Sequence, residues 1–192
     1  LGFLYLWNDF MLNVKLTNGD ILIRRFEKAD FPKIAPMFMC DETMYYYVTD
    51  EVKFNSEQKV RKYIENWDDN ESSFMFSCFK DNELIGILTL EDYSKIQKHT
   101  ECGIALINPR LYGQGLSKKI LKLMINYLFN EKRLHKIYIR YIDGNEASYH
   151  LFKSLGFQND GCFREHIRRK DKYLNLNYMS ILKKEWLRCS EK

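Results

Sequence analysis

Two rhythms of apolar and polar positions run along this chain, and the points where one gives way to the other mark its elements. The run from Ile21 to Phe26 reads as a first strand. A helical pattern opens at Glu27-Lys28-Ala29-Asp30 and carries apolar residues at Ile34, Met37 and Phe38. Pro32 suits the first turn of that helix, whereas Pro36 sits uneasily inside it. Residues 41–51, acidic and then tyrosine-rich, fit neither rhythm and read as irregular. Ser56 has the character of an N-cap, and a second helix runs from it to about Trp67. Strand patterns return at Phe74 to Phe79 and Leu84 to Leu90, joined by the turn Lys80-Asp81-Asn82-Glu83. Another strand spans roughly Glu101 to Ile107. Leu116, Ile120, Leu123, Met124, Tyr127 and Leu128 then fall at helical spacing. His135 to Ile142 is again strand-like. Asp143-Gly144-Asn145 turns the chain into a short helix that ends at Leu155, where Gly156 and the apolar Phe157 form a stop signal. Two strand candidates remain, Gln158–Arg164 and Tyr173–Leu182.

The resulting order is β-α-α-β-β-β-α-β-α-β-β. Consecutive strands in the middle imply antiparallel pairing, and the strand-helix-strand unit after residue 101 implies a parallel pair. The consistent architecture is a mixed α+β sheet in one domain. No repeat and no linker rich in Pro, Gly or Ser interrupts it. The chain begins without Met, and Met11 reads as the native start, with residues 1–10 an extension outside a core domain of residues 11–192.

One junction carries chemistry. Asn108-Pro109 ends a strand, Gly113 and Gly115 make a tight loop, and the amphipathic helix starts at Leu116. A glycine loop at a helix start collects free backbone N–H groups where the helix dipole is positive, which suits a phosphate or pyrophosphate.

Composition narrows the choice of ligand. The chain has 30 Lys and Arg against 26 Asp and Glu, spread without blocks. This is mild help for an anionic ligand rather than a nucleic-acid footprint. The five cysteines, Cys40, Cys78, Cys102, Cys162 and Cys189, are odd in number and never form a Cys-x-x-Cys pair. They imply reduced thiols and a cytoplasmic setting. His99, His135, His150 and His166 show no ligand spacing, so no metal is expected. The apolar opening Leu1 to Trp7 is too short to span a bilayer and lacks the basic flank of a signal peptide, so no membrane role is expected.

With these residues in view, the chain resembles the GCN5-related N-acetyltransferase (GNAT) superfamily. The family's acetyl-CoA loop has the form Gln/Arg-x-x-Gly-x-Gly/Ala. Arg110-Leu-Tyr-Gly113-Gln-Gly115 fits it literally. The register Tyr112-Gly113-Gln114-Gly115-Leu116-Ser117 is preferred because it makes Leu116 the first core-facing helical residue, with Tyr112 and Ser117 as departures. Asn145-Glu-Ala-Ser-Tyr-His-Leu-Phe-Lys-Ser-Leu-Gly156-Phe157 looks like the family's Asn-x-x-Ala/Ser helix ending in Leu-Gly-Phe. The tail from Lys172 to Trp186 is similar to the subgroup of ribosomal-protein and spermidine acetyltransferases. The likeness covers roughly residues 20–187.

The resemblance implies a sheet of about six to seven strands, mostly antiparallel, with helices on both faces and a splayed central parallel pair. It implies acetyl transfer from acetyl-CoA, as cosubstrate without a metal, to an amine held in the same complex. Ile107, Leu111, Tyr112, Gly113, Gln114, Gly115, Leu116, Ser117, Lys118, Asn145 and Phe152 would then contact the cofactor, with backbone N–H groups from Leu111 to Ser117 on the pyrophosphate. Lys118 and Lys119 fit equally a solvated helix face. The stretch Glu101-Cys-Gly-Ile-Ala-Leu-Ile-Asn-Pro is one residue longer than in relatives, as a β-bulge requires.

Glu101, or a water on it, is the expected base, because a free amine has a pKa of about 10 and must lose a proton. The alternative for Glu101 is a strand-edge surface carboxylate. Relatives often carry an acidic Tyr where this chain has Phe152. Ser148, one turn earlier, and Tyr149 are the substitutes; Ser148 fits equally a capping role, and a thiolate can also leave without an acid. Glu42, Tyr45 and Tyr46 would line the acceptor's entry, through charge and cation–π contact, unless they simply pack on the domain. The expected acceptor is a small-molecule amine, a polyamine or amino sugar, or a protein N-terminus. Asn175, where many ribosomal-type relatives have Asp, leans toward the small molecule. A homodimer is left open. A non-catalytic acyl-CoA sensor on the same fold is the competing reading.

Overall fold

The structure is a computed structural model that describes residues 12–47 and 53–190. The extension 1–10, Met11 and residues 48–52 of the expected irregular stretch lie outside those residues.

Among the described residues there are eight strands: β1 (Lys15–Asn18), β2 (Ile21–Arg25), β3 (Phe74–Lys80), β4 (Glu83–Ser94), β5 (His99–Leu106), β6 (Lys136–Ile142), β7 (Gln158–Arg169) and β8 (Lys172–Leu182). They form one open sheet in the order β1-β2-β3-β4-β5-β6-β8-β7. Every neighbouring pair is antiparallel except β5 and β6. That parallel pair is registered only from His99 opposite Lys136 to Glu101 opposite Tyr138. Beyond Glu101 the two strands part, and the splay opens the middle of the sheet. The mixed sheet, the helices on both faces and the splayed pair match the expectation; the sheet is one strand wider.

The bulge is elsewhere than expected. Pairing of β4 with β5 is continuous from Gly86 opposite Leu106 to Glu91 opposite Glu101. The irregularity follows, where Asp92 and Tyr93 oppose Thr100 alone before Ser94 meets His99. Asp92 takes a positive φ of 48° there. The extra residue after Glu101 therefore does not bulge the strand against β4.

Among the described residues six α-helices cover the sheet: α1 (Phe31–Phe38), α2 (Asp41–Tyr47), α3 (Glu57–Trp67), α4 (Leu116–Asn130), α5 (Glu146–Ser154) and α6 (Lys183–Ser190). Residues 41–47, expected to be irregular, are helical, with Asp41 and Glu42 in the first turn and Met44 as the one buried anchor. Ser56 caps α3 by accepting the Lys59 N–H. Pro36 does lie inside α1.

One face of the sheet carries α4, which buries Leu116, Ile120, Leu121, Met124, Ile125, Leu128 and Phe129. Each such side chain contributes about 1.5–3 kcal/mol of transfer free energy. The other face carries α1 to α3, packed on Met75, Leu84 and Ile87. The alternation along β4 and β5 sends Thr89, Glu91, Glu101 and Gly103 to this second face.

The Leu-Gly-Phe signature is a complete helix stop. Gly156 adopts φ 92°, its N–H donates to Lys153 O, and the Phe157 N–H donates to Phe152 O. This is the Schellman pattern, and its apolar contact is Phe157 on Phe152, ring centroids 5.1 Å apart.

Candidate active site

The glycine loop is built in three steps. Asn108 caps a 3₁₀ turn, Pro109–Leu111, by accepting the Arg110 N–H at 2.9 Å. The Gln114 amide then ties back to Arg110 O at 2.8 Å. Gly113 and Gly115 follow at φ 76° and 73°, and Gly115 is the N-cap of α4. The space where a Cβ would sit is open at both glycines.

The backbone donors differ from expectation at two residues. The Leu111 N–H is committed to Asn108 O and the Tyr112 N–H to Pro109 O, both at 3.0 Å. Those two groups are internal to the 3₁₀ turn and cannot also face a pyrophosphate. The donors of Leu116, Ser117 and Lys118 belong to the first turn of α4 and have no intrahelical acceptor. Leu116 itself is 2% exposed, as its core-facing assignment requires. Tyr112, Gly113, Gln114 and Gly115 are exposed, Ser117 and Lys118 are half-buried, and Lys119 is solvated. Ile107 extends β5 through its N–H to Ile85 O and packs on the α1–α3 side.

Where β5 leaves β6, a cavity of about 100 Å³ opens on the α1–α3 face. Glu91, Glu101 and Arg140 supply its charge, and Tyr46, Tyr47, Tyr63, Trp67 and Tyr141 much of its wall. Arg140 grips Glu101 with both Nε and Nη2, at 2.8, 2.7 and 2.6 Å. Its approach to Glu91 is looser, 3.6 Å. Burial pushes the Glu101 carboxyl up while Arg140 pulls against it. Burial and the neighbouring Glu101 charge lift Glu91 to about 6, with Arg140 and the Trp67 indole opposing. On the roof, the Tyr47 hydroxyl donates to Thr89 Oγ1 at 3.3 Å. Thr89 Oγ1 lies 2.5 Å from where a Cβ on Gly103 would be, so the floor of the cavity needs glycine there.

The other expected site residues fall around this centre. Tyr46 lines the cavity, and its hydroxyl lies over Gly144. Tyr45 stands at the rim, where the Arg169 guanidinium donates twice to its carbonyl at 3.2 and 3.1 Å and lies 5.5 Å from its ring centroid. Arg169 closes the β7–β8 hairpin onto α2 in this way. Glu42 is exposed on α2. Ser148 and Tyr149 lie on α5 outside the cavity lining. The Ser148 N–H donates to Asn145 Oδ1 at 3.1 Å, so Asn145 is the N-cap and its side-chain oxygen is occupied. The Tyr149 hydroxyl accepts from Lys153 Nζ at 2.7 Å. Phe152 is 3% exposed and belongs to the core. Asn175 Oδ1 accepts the Glu165 N–H at 2.8 Å, inside the bulge of the β7–β8 hairpin.

Sequence reasoning missed Glu91, Arg140, Trp67 and Thr89. Arg140 had a signal, a lone charge inside the apolar strand Lys136–Ile142. Glu91 had none, because its pairing with Glu101 depends on strand register. A larger hollow of about 410 Å³ lies away from the splay between β2 and α3. Its Arg25 is satisfied by Asp68 at 2.7 and 2.9 Å. Among the described residues no group of three or more His, Cys, Asp or Glu could hold a metal, and no helix is long and apolar enough to cross a membrane.

A glycine turn at a helix start beside a splayed parallel pair defines a class. The acetyltransferase (GNAT) domain family matches residues 20–158, and the chain belongs to it as an acetyl-CoA-dependent N-acetyltransferase. Its relatives include spermidine N(1)-acetyltransferases and a protein named as a ribosomal N-acetyltransferase. The spermidine N(1)-acetyltransferase of Vibrio cholerae is 27% identical over 176 residues, covering 91% of this chain and 99% of that protein. An uncharacterized N-acetyltransferase of Bacillus subtilis, YnaD, is 27% identical over 172 residues, covering 89% of this chain and 98% of that protein. The fold of the Vibrio cholerae spermidine N-acetyltransferase, solved with CoA and spermine, matches with a TM-score of 0.79 at 23% identity, over 88% of this chain and 99% of that one.

Proposed function

We propose that this acetyltransferase transfers acetyl to the primary amine of a small cationic molecule, a polyamine or an amino sugar, by direct attack in a ternary complex. The observation that carries the reading is the cavity at the splay, where two carboxylates and one guanidinium sit within an aromatic wall. With both acids ionised the cavity holds one net negative charge, which favours an ammonium group over a neutral or anionic acceptor. The tyrosines and Trp67 add cation–π attraction. The relatives that act on spermidine support the same choice.

The cofactor's place follows from the loop. The pyrophosphate rests on donors from Gly113 to Lys118 at the positive end of α4. The open edge of β5 beyond Glu101 leads from there to the cavity, so the thioester is delivered beside Glu91 and Glu101. The departing thiolate has an ordinary pKa of about 8.5 and leaves without a phenol at position 152. A homodimer belongs to the same proposal; sedimentation at micromolar protein tests it. The reading as a whole is tested by thiol release from acetyl-CoA against spermidine, glucosamine, an aminoglycoside and a short peptide. Turnover of the polyamine or amino sugar supports it; turnover of the peptide alone overturns the small-molecule acceptor.

A further inference from the structure

We propose that Glu91, rather than Glu101, takes the proton from the incoming ammonium, with Arg140 and Glu101 acting as the pair that positions it. The inference rests on the amine-acetylation reading above.

Two geometric facts separate a pair of carboxylates that share one face. Glu91 and Glu101 are direct partners across β4 and β5, so their side chains leave the same face side by side. Arg140 spends its fork on Glu101, with three contacts of 2.8 Å or less, and reaches Glu91 only at 3.6 Å. The side chain of Glu101 is 12% exposed and that of Glu91 is 36% exposed. A proton delivered to Glu101 must displace a bidentate guanidinium in a nearly closed site. A proton delivered to Glu91 displaces nothing comparable and arrives from the open side of the cavity.

The surroundings of Glu91 also suit the task. Glu101 faces it from β5, Arg140 from β6, the Trp67 indole from α3 and the Tyr47 hydroxyl from α2. Burial and the Glu101 charge raise its proton affinity; Arg140 and Trp67 hold the rise to about 6. A base at that value is ionised at neutral pH and still strong enough to matter.

The Glu91 carboxylate takes one proton from the ammonium, and the freed lone pair forms a bond to the thioester carbonyl carbon. The C–S bond then breaks, and its electron pair leaves on the CoA sulfur. The second proton lost from nitrogen passes to that thiolate. The Glu91 proton goes to solvent, giving one amide, one CoA thiol and one proton per turnover.

The test compares the wild type with Glu91→Gln and Glu101→Gln on the best acceptor of the amine panel, as kcat/KM against pH with acetyl-CoA saturating. The wild type should lose activity below about pH 6 along a single-proton limb. Glu91→Gln should lose that limb and fall by about 10²–10⁴-fold at pH 7. It should recover as pH rises toward the amine's own pKa, and it should bind acetyl-CoA in calorimetry as the wild type does. Glu101→Gln should keep a limb, because Glu91 remains. A Glu91→Gln profile that retains the wild-type limb and rate overturns the assignment while leaving the amine reading intact. Acetyl-CoA binding with no amine turned over at any pH removes both.

Discussion

Glu91 should make the folded protein less stable at neutral pH than it need be, and Glu91→Gln measures by how much. The group's ordinary value is 4.5, and in the fold it is raised to about 6, first by burial and then by Glu101. A raised carboxyl binds its proton more tightly when folded, so its favourable contribution is present below about pH 4.5 and is lost as pH rises through 6. A lift of this size corresponds to at most about 2 kcal/mol of unfavourable charge above pH 6. The side chain is about one-third exposed, and solvent screening reduces that to about 1 kcal/mol. Gln mimics the protonated acid in size and hydrogen bonding. Urea unfolding of both proteins at pH 4.5 and pH 8 should therefore give nearly equal stability at the lower pH and a variant more stable by about 1 kcal/mol at the higher one, or about 2–4 °C in Tm. A difference that does not change with pH, or a variant weaker at pH 8, would refute the reasoning that Glu91 is held uncomfortably charged.

Three further changes probe other parts of the site. Gly115→Ala forces a left-handed residue at φ 73° where the space itself is open, so backbone strain of about 1–2 kcal/mol should appear as lost stability or as acetyl-CoA binding weakened roughly 5- to 30-fold in calorimetry. Phe152→Tyr puts a hydroxyl into a site 3% exposed, and thermal unfolding should show a loss of about 1–3 kcal/mol with no gain in kcat; a faster enzyme would contradict the structural role given to this ring. Arg169→Ala unties the hairpin from Tyr45, and steady-state kinetics should show KM for the acceptor rising several-fold while acetyl-CoA binding holds.

The parts of this fold that could be read from sequence are those whose signal is local. The glycine turn, the amphipathic face of α4, the Ser56 cap and the Leu-Gly-Phe stop all lie within a few consecutive residues. What escaped has either a thin local pattern or none. β1 is Lys-Leu-Thr-Asn with only Leu16 partly buried, and α2 has the low helical propensity of three tyrosines and a single buried anchor. β7 runs five residues past its expected end because the bulge between Phe163 and Ile167 breaks its alternation. α6 escaped because, among its described side chains, Trp186 alone is buried in the core. The acid pair at the cavity is the extreme case. Glu91 and Glu101 are ten positions apart and Arg140 far beyond, and only the register of β4, β5 and β6 brings them together. Phe152, read from sequence as a departure from the family's acid, also makes the contact that ends α5, and that contact rests on the Phe157 ring beyond the helix.

The most direct test of the account is CoA thiol release measured on the purified protein with acetyl-CoA, with and without spermidine or glucosamine, and product mass recorded in parallel. Thiol release should depend on the amine, saturate in both substrates and yield one acetylated amine per thiol. Tight acetyl-CoA binding with no amine-dependent release would contradict it.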